Sequence, residues 1–287
     1  MTYHEEMQIF SEKHPYKTME AGGGTFRYVL SGPAEKQPLV LLNGGMNTSE
    51  MWMRYVDALS EDYQVLIFDY PRELVSNEQL MEGMNALFQK LGLQNPVLIG
   101  ASYGGMSAQL YVQKYPRQVG GLVLLSTGGL DSKSIRALKR KHFFAPALVW
   151  YMKHTNYEKM KDKLIKFGMK HARTESPQLQ AYAQEMFQTL FRDYTREKDL
   201  HITGLLMDAA NQKPVVSADF QSLQGRILLI LPTEDFFSPQ MQKDLEALMH
   251  HPETVCIKGG HLSTVLRAEE YIRVLKDFLH TMGKSAS

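Results

Sequence analysis

The stretch Asn95-Pro-Val-Leu-Ile-Gly-Ala-Ser-Tyr-Gly-Gly-Met-Ser107 contains the pattern G-x-S-x-G at Gly100–Gly104. An apolar strand pattern precedes the motif and a helical pattern, Met106 to Tyr115, follows it. This order is the context of a nucleophile elbow, although a glycine-rich strand-to-helix turn without chemistry is the alternative. Glycines beside Ser102 relieve crowding in a tight turn, and the following helix directs its amides and positive dipole end at the same spot. The stretch therefore predicts a nucleophilic serine.

Short apolar runs rich in β-branched residues recur on both sides of this motif. The predicted strands are Thr25–Leu30, Pro38–Asn43, Tyr63–Phe68, Pro96–Gly100, Gly121–Leu125, Arg226–Leu231 and Thr254–Ile257. Helical patterns lie between them at about 48–60, 77–92, 103–115, 239–250 and 267–281. Several strands lack polar alternation, as expected for parallel strands that are covered on both faces. The order predicts an α/β fold with a doubly wound, mostly parallel sheet.

The alternation of strands and helices stops between Asp131 and Pro214, where only helical patterns rich in Lys, Met, Tyr and Phe occur. Because strands resume afterwards, we expect a core of residues 1–130 and 215–287 and a helical cap of residues 131–214 inserted into it. Residues 131–173 carry twelve Lys or Arg against three Asp or Glu. This imbalance predicts a solvated helical face or, alternatively, attraction for anionic substrates or a membrane surface.

The composition narrows the class of protein. The chain has 287 residues, 44% of them hydrophobic, and a formal net charge of +1, which argues against a nucleic-acid binder. The single cysteine, Cys256, excludes an intramolecular disulfide and a cysteine-rich zinc site, and favours a reducing compartment. Met1 to Lys17 has early acids and no apolar segment, and no run of 18 apolar residues occurs. We therefore expect a cytoplasmic protein without integral membrane association.

Two later loops carry residue types that would activate a serine hydroxyl, which is a weak nucleophile without a base and a group that orients the base. Asp235 follows the strand pattern that ends at Leu231, and His261 follows the next strand pattern after two glycines. Catalytic groups in open α/β sheets gather at the carboxyl ends of strands. We therefore expect Ser102, Asp235 and His261 to meet at one edge of the sheet.

These motifs resemble the α/β-hydrolase superfamily, particularly cap-bearing members related to small esterases and non-haem haloperoxidase-like proteins. The resemblance covers roughly residues 20–282 and rests on Gly100–Gly104, a D-x-x-x-P pattern at Asp235, and two glycines before His261. It implies that Ser102 is the nucleophile, that His261 is general base and then acid, and that Asp235 orients the histidine.

Three other carboxylates lie near the predicted loops. Glu234 precedes Asp235 directly, and Asp131 follows an earlier strand pattern, so both are alternatives for the triad acid. The resemblance favours Asp235 over both. Asp69 follows the strand pattern ending at Phe68 in a segment that is shorter than in many relatives, and we expect it to brace a loop.

The resemblance also implies an oxyanion hole formed by two backbone amides. One is the amide of Tyr103, which follows the nucleophile. The other comes from the loop Leu42-Asn-Gly-Gly-Met46, where position assigns it to Gly45, with Met46 as an adjacent alternative. Asn43 stands where relatives usually have histidine, which is a departure from the family pattern.

The serine at the elbow argues against two reactions of this superfamily, because its dehalogenases and epoxide hydrolases carry aspartate at that position. The leading interpretation is a serine hydrolase that acts on a small to medium, apolar ester through an acyl-enzyme, without metal or other cofactor. Amide, lactone, thioester and carbon–carbon cleavage, perhydrolysis and a ligand receptor with little turnover are the alternatives. The predicted substrate contacts are Met46, Phe144, Trp150 and Met152.

Overall fold

The computed structural model describes residues 1–143, 145–173 and 175–284. The strands are β1 (Lys17–Ala21), β2 (Gly24–Ser31), β3 (Pro38–Leu42), β4 (Gln64–Phe68), β5 (Val97–Ala101), β6 (Gly121–Leu125), β7 (Ile227–Pro232) and β8 (Glu253–Ile257). The helices are α1 (Tyr3–Lys13), α2 (Met53–Leu59), α3 (Asn77–Lys90), α4 (Tyr103–Lys114), α5 (Ser132–His142), α6 (Ala145–His154), α7 (Tyr157–Lys170), α8 (Pro177–Arg192), α9 (Arg196–Asp208), α10 (Pro239–Leu248), α11 (Ser263–Leu266) and α12 (Ala268–Lys284). Short 3₁₀ turns cover Ser49–Trp52, Ala209–Asn211 and Ser217–Leu223.

The strands form one sheet in the order β1-β2-β4-β3-β5-β6-β7-β8. Neighbouring strands from β4 to β8 pair in parallel, and β2 is antiparallel to both β1 and β4. The α/β fold with a mostly parallel sheet is therefore confirmed. In the sheet, β4 lies on one side of β3 and β5 on the other, so the direction in which successive strands are placed reverses at β3. Such a reversal opens a crevice at the carboxyl ends of these strands.

Alternate side chains of each strand enter two apolar layers. In β3, Leu39 and Leu41 pack with α1, α2 and α12, whereas Val40 and Leu42 pack with α3, α4 and α10. All four side chains are completely buried. Both faces of the sheet are covered, which explains why the strand patterns are continuously apolar.

Two elements before Thr25 were not predicted. Helix α1 begins at a capping box, in which Thr2 Oγ1 accepts the Glu5 amide and Glu5 Oε2 accepts the Thr2 amide. Strand β1 joins β2 through Gly22 and Gly23, whose φ angles of 53° and 84° suit the tight turn of a hairpin. Both features have local sequence signatures, Thr-x-x-Glu and Gly-Gly.

Helices α5 to α9 lie between β6 and β7 and are called the interposed helices below. Helix α8 reaches across to α1, where the Glu185 carboxylate accepts the amides of Tyr3 and His4. Among the described residues, no helix is long and apolar enough to cross a membrane.

Candidate active site

Ser102 sits at the tight turn between β5 and α4. Its φ of 53° lies in the left-handed region, which is strained for a residue with a side chain. A Cβ on Gly100 would lie 2.3 Å from the Gly104 carbonyl oxygen, and one on Gly104 would lie 2.1 Å from the Leu42 carbonyl oxygen. The two glycines of the motif are therefore required by close backbone packing, which holds the serine at the end of the strand.

The structure brings Ser102, His261 and Asp235 together at the carboxyl edge of the sheet. His261 Nε2 lies 3.1 Å from Ser102 Oγ, and His261 Nδ1 lies 2.9 Å from Asp235 Oδ1. The Asp235 side chain is completely buried, whereas the His261 side chain keeps 17% of its surface exposed. The three groups thus form a continuous series of hydrogen bonds from a buried carboxylate to the hydroxyl at the elbow.

Backbone hydrogen bonds join the loops after β7 and β8 that carry the carboxylate and the histidine. The Glu234 amide donates to the Gly259 carbonyl at 2.9 Å, and the Gly259 amide donates to Thr233 Oγ1 at 3.3 Å. Gly259 has a φ of 130°, and a Cβ on Gly260 would lie 2.7 Å from the His171 carbonyl oxygen. The two glycines before the histidine are therefore steric requirements of this junction.

The alternative carboxylates occupy other positions. The Glu234 side chain is exposed to solvent. Asp131 Oδ1 accepts the amides of Lys133 and Ser134 at 2.6 and 2.9 Å, so Asp131 caps the N-terminus of α5.

Asp69 braces the loop after β3. It accepts the Ser49 amide and the Arg27 guanidinium, each at 3.0 Å. The bracing contacts expected of this carboxylate are therefore present.

The loop after β3 approaches the serine closely. A Cβ on Gly44 would lie only 3.5 Å from Ser102 Cβ, and both Gly44 and Gly45 line the same cavity as Ser102. The Tyr103 amide is the first of α4, so it has no hydrogen-bond acceptor within the helix. Backbone of the loop after β3 and of the first turn of α4 thus lies beside Ser102, where the two oxyanion donors were predicted.

A buried asparagine pair supports this loop in place of the usual histidine. Asn43 Nδ2 donates to the Phe68 carbonyl at 2.7 Å and to Asn47 Oδ1 at 3.3 Å. Asn47 exchanges two hydrogen bonds with the backbone of Tyr70, whose hydroxyl donates to the Asn43 carbonyl at 2.8 Å. The departure at Asn43 therefore leaves the loop anchored to the segment after β4.

A cavity of about 750 Å³ opens above Ser102 and His261. Its lining is mainly apolar and includes Met46 from the β3 loop, Leu164 and Phe167 from α7, and Phe187 from α8. Asp244 and Lys133 also line it and form an ion pair at 2.6 Å. The cavity is large enough for a small or medium organic molecule.

Two of the predicted substrate contacts do not line this cavity. Met152 is buried in α6, where it is 5% exposed, and Trp150 of the same helix is 64% exposed and stacks on His154. Helix α6 packs against α9 and α5, and none of its described residues lines the cavity. Phe144, the third predicted contact from this segment, lies outside the described residues.

Two rings that pack around the histidine were not predicted. The Phe236 ring lies 4.1 Å from the His261 ring, between centroids, and the His171 ring lies 6.1 Å from it. Burial lowers the pKa of the His171 imidazole from its ordinary value, and the neighbouring His261 ring lowers it further. His171 is one of ten histidines and has no local motif, whereas Phe236 directly follows the predicted acid.

Among the described residues, no group of three or more His, Cys, Asp or Glu side chains is arranged to hold a metal ion.

Comparisons with known proteins agree on the fold. A family model described as alpha/beta hydrolase fold matches residues 37–267. The chain is 23% identical to a proline iminopeptidase of Lactobacillus helveticus, over 95% of this chain and 98% of that protein. Among solved structures, the enol-lactonase of Burkholderia xenovorans matches with a TM-score of 0.73 and 18% identity, covering 92% of this chain and 100% of that one. A thermophilic esterase of Thermogutta terrifontis matches with a TM-score of 0.73 and 16% identity, covering 93% of this chain and 99% of that one.

Proposed function

The chain belongs to the alpha/beta hydrolase fold family and is an enzyme of that fold, and on this premise we propose that it is a serine hydrolase. Its substrate is a small to medium, apolar carboxylic ester or a related acyl compound. The observation that carries the proposal is the hydrogen-bond series from Asp235 through His261 to Ser102, at 2.9 and 3.1 Å. A serine hydroxyl with a positioned base and a buried carboxylate behind that base is the arrangement that acyl transfer requires.

The first half-reaction forms an acyl-enzyme. Ser102 Oγ attacks the substrate carbonyl carbon while His261 Nε2 accepts the hydroxyl proton. The negative charge of Asp235 stabilises the imidazolium that results and holds Nδ1 protonated. The same imidazolium then donates its proton to the leaving oxygen, so the ester bond breaks as the acyl–serine bond forms.

The second half-reaction repeats these roles with water. His261 accepts a proton from water, the hydroxide attacks the acyl carbon, and Ser102 leaves with the proton returned by His261. In both halves the oxyanion accepts hydrogen bonds from the amides of Gly45 and Tyr103, and the α4 dipole favours the same charge. We propose these two amides because both residues line the cavity beside Ser102.

The cavity supports an apolar substrate. Side chains from α5, α7 and α8 close the space above Ser102, so we propose that the predicted insertion, residues 131–214, acts as the cap that selects the acyl or alcohol group. Met46, Met106 and Met241 contribute thioether side chains that adapt to irregular shapes.

The charges in the cavity favour a neutral substrate over one with a free amino group. Among the described residues that line the cavity, Asp244 is the only carboxylate, and Lys133 lies 2.6 Å from it. An ammonium group in this apolar space would need an unpaired carboxylate to offset its desolvation. We therefore place esters ahead of peptides with a free amino group, although the Lactobacillus helveticus relative is named a proline iminopeptidase.

The test combines covalent labelling with turnover. The wild type is expected to gain one fluorophosphonate adduct by intact mass and to hydrolyse p-nitrophenyl esters, whereas Ser102→Ala does neither. Ser134→Ala removes a hydroxyl from the same cavity wall and is expected to behave as the wild type. A folded wild type without adduct and without ester turnover would contradict the proposal and favour a ligand receptor. Faster turnover of an amino-acid p-nitroanilide than of any ester would contradict the substrate class.

A further inference from the structure

The charges of this chain are divided unevenly between one segment and the rest. Twelve of the 32 Lys and Arg residues, but only three of the 31 Asp and Glu residues, lie within residues 131–173. That segment therefore carries a formal charge of +9, and the remaining 244 residues carry −8. The net charge of the whole chain is therefore close to zero although the segment that contains α5, α6 and α7 is strongly basic.

Helix α5 shows the basic region most clearly. Ile135 is buried and Leu138 packs against the core, whereas Arg136, Lys139 and Arg140 are exposed. Together with Lys133, these three cations line one shallow surface depression. Among the described residues, no carboxylate lies within ion-pair distance of Arg136, Lys139 or Arg140. Their charges are therefore available to an external anion.

Large apolar side chains are exposed directly after these cations. Phe143 is 81% exposed, Leu148 47% and Trp150 64%. Tyr151 is also exposed, and its hydroxyl accepts a hydrogen bond from Lys163 of α7 at 2.8 Å. Helix α6 packs against α5, so the exposed side chains of α6 lie on the helix next to the one that carries the cations. Exposing large apolar side chains to water is unfavourable, and such side chains near cations are typical of a contact surface.

The same helices line the substrate cavity from inside. Ala137 and Leu138 of α5 and Phe167 of α7 border the cavity, and Phe167 is also 58% exposed to solvent. A molecule that lies against the outer surface of α5 and α7 is therefore next to the space above Ser102.

We propose that this basic–aromatic surface, formed by Arg136, Lys139, Arg140, Phe143, Trp150 and Tyr151, docks on the surface of an anionic phospholipid bilayer. The cations contact lipid phosphates and carboxylates, and the aromatic rings enter the interfacial layer, where one edge is polar and the other apolar. The basic segment offers an anionic bilayer a formal charge of +9, whereas the remaining residues carry −8. A long nucleic acid would also run past that acidic remainder, which would repel it.

The first experiment measures co-sedimentation of the full chain with phosphatidylcholine vesicles that contain phosphatidylserine. Binding is expected with these vesicles, is absent with phosphatidylcholine alone, and weakens as ionic strength rises. The triple variant Arg136→Gln, Lys139→Gln, Arg140→Gln should bind about a hundredfold more weakly, because each cation near an anionic bilayer contributes about fivefold. All proteins carry Ser102→Ala, so the result does not depend on the proposed hydrolase activity.

A matched triple variant tests whether position matters as well as charge. Lys17→Gln, Lys36→Gln and Arg117→Gln remove the same charge from exposed positions outside the interposed helices and should leave binding within about twofold. Equal weakening by both triple variants, or equal binding to neutral vesicles, would overturn the proposal. Binding to a fluorescent oligonucleotide but not to anionic vesicles would also overturn it.

Tryptophan fluorescence tests the aromatic part of the surface. The chain has two tryptophans, of which Trp150 is 64% exposed and Trp52 is 4% exposed. Anionic vesicles should shift the emission to shorter wavelength, since the exposed ring leaves water, and Trp150→Phe should abolish the shift. A shift that persists in Trp150→Phe, or a spectrum unchanged by bound vesicles, would contradict the proposed orientation.

Discussion

Replacement of Asp235 by asparagine tests the proposed active site most directly. The substitution keeps the shape of the side chain and removes its charge. The Asp235 side chain is completely buried and Oδ1 lies 2.9 Å from His261 Nδ1. Water therefore cannot replace the lost carboxylate, and the imidazolium formed during attack by Ser102 loses its nearest counter-charge.

The size of the effect follows from Coulomb's law. With the charge centres about 4 Å apart and an effective dielectric constant of about 20, the carboxylate stabilises the imidazolium by about 4 kcal/mol. This energy corresponds to about a thousandfold in rate. An asparagine amide that donates to Nδ1 would in addition hold the imidazole in the wrong tautomer, which raises the expected loss toward about ten-thousandfold.

The assay is steady-state hydrolysis of a p-nitrophenyl ester, with kcat and KM determined separately. Asp235→Asn should lower kcat by about 10³ to 10⁴ and change KM by less than about fivefold, because the carboxylate acts in the transition state. Glu234→Gln makes the same chemical change one residue earlier, on an exposed side chain, and should alter kcat by less than about twofold. A loss below about tenfold for Asp235→Asn, or equal losses for both variants with unchanged melting temperatures, would refute the reasoning.

Three further predictions concern stability and alternative roles. The completely buried Glu175 carboxylate accepts three hydrogen bonds from Arg267. Glu175→Gln should therefore lower the free energy of unfolding, measured by urea denaturation, by about 3 kcal/mol. A loss below about 1 kcal/mol would contradict this. Asp131→Ala should lower the free energy of unfolding by about 1 kcal/mol, because α5 loses its N-terminal cap, and should leave kcat within about twofold. A loss of about a thousandfold in kcat would instead make Asp131 the triad acid. Burial lowers the pKa of the native His171 imidazole, so the unfolded chain binds a proton first and stability falls as the pH drops below about 6.5. In His171→Asn the melting temperature should therefore fall less steeply over this range. Equal pH dependence of the melting temperature in both proteins would contradict the prediction.

The core strands could be predicted from the sequence, because strands that are buried on both faces have continuously apolar sequences. All seven predicted strands are present, with ends shifted by at most one residue. The helix α1 and the strand β1 were missed because few of their residues are buried: α1 buries Tyr3 and Phe10, and β1 buries only Ala21, so neither leaves a clear apolar pattern. Their signals were the capping box at Thr2 and the glycine pair at Gly22, which are short and local.

The elbow motif is local as a sequence pattern, but only one of its two glycines is required by a local contact: Gly100 meets Gly104, whereas Gly104 meets Leu42 of β3. The glycines at positions 100 and 104 are required by contacts of 2.3 and 2.1 Å that any Cβ would make. The loop positions of Asp235 and His261 followed from the strand patterns that precede them, since parallel strands end at one edge of the sheet, and the resemblance favoured Asp235 over Glu234. The roles assigned to these residues stay predictions that the variants above test.

The walls of the cavity were decided by the tertiary structure alone. An apolar helix can turn a given side chain toward the cavity, another helix or solvent, and the sequence of α6 does not say which neighbour it meets. Trp150 and Met152 consequently fell outside the cavity, whereas Phe187 of α8 and Phe167 of α7 entered it. His171 reaches the neighbourhood of His261 from 90 residues earlier in the chain, because helix packing brings α7 over the loop after β8. The sequence by itself determined seven of the eight strands and the strand–turn–helix motif of the serine, because their signals are periodic or local. Only long-range packing decided the order of the strands and what surrounds the serine.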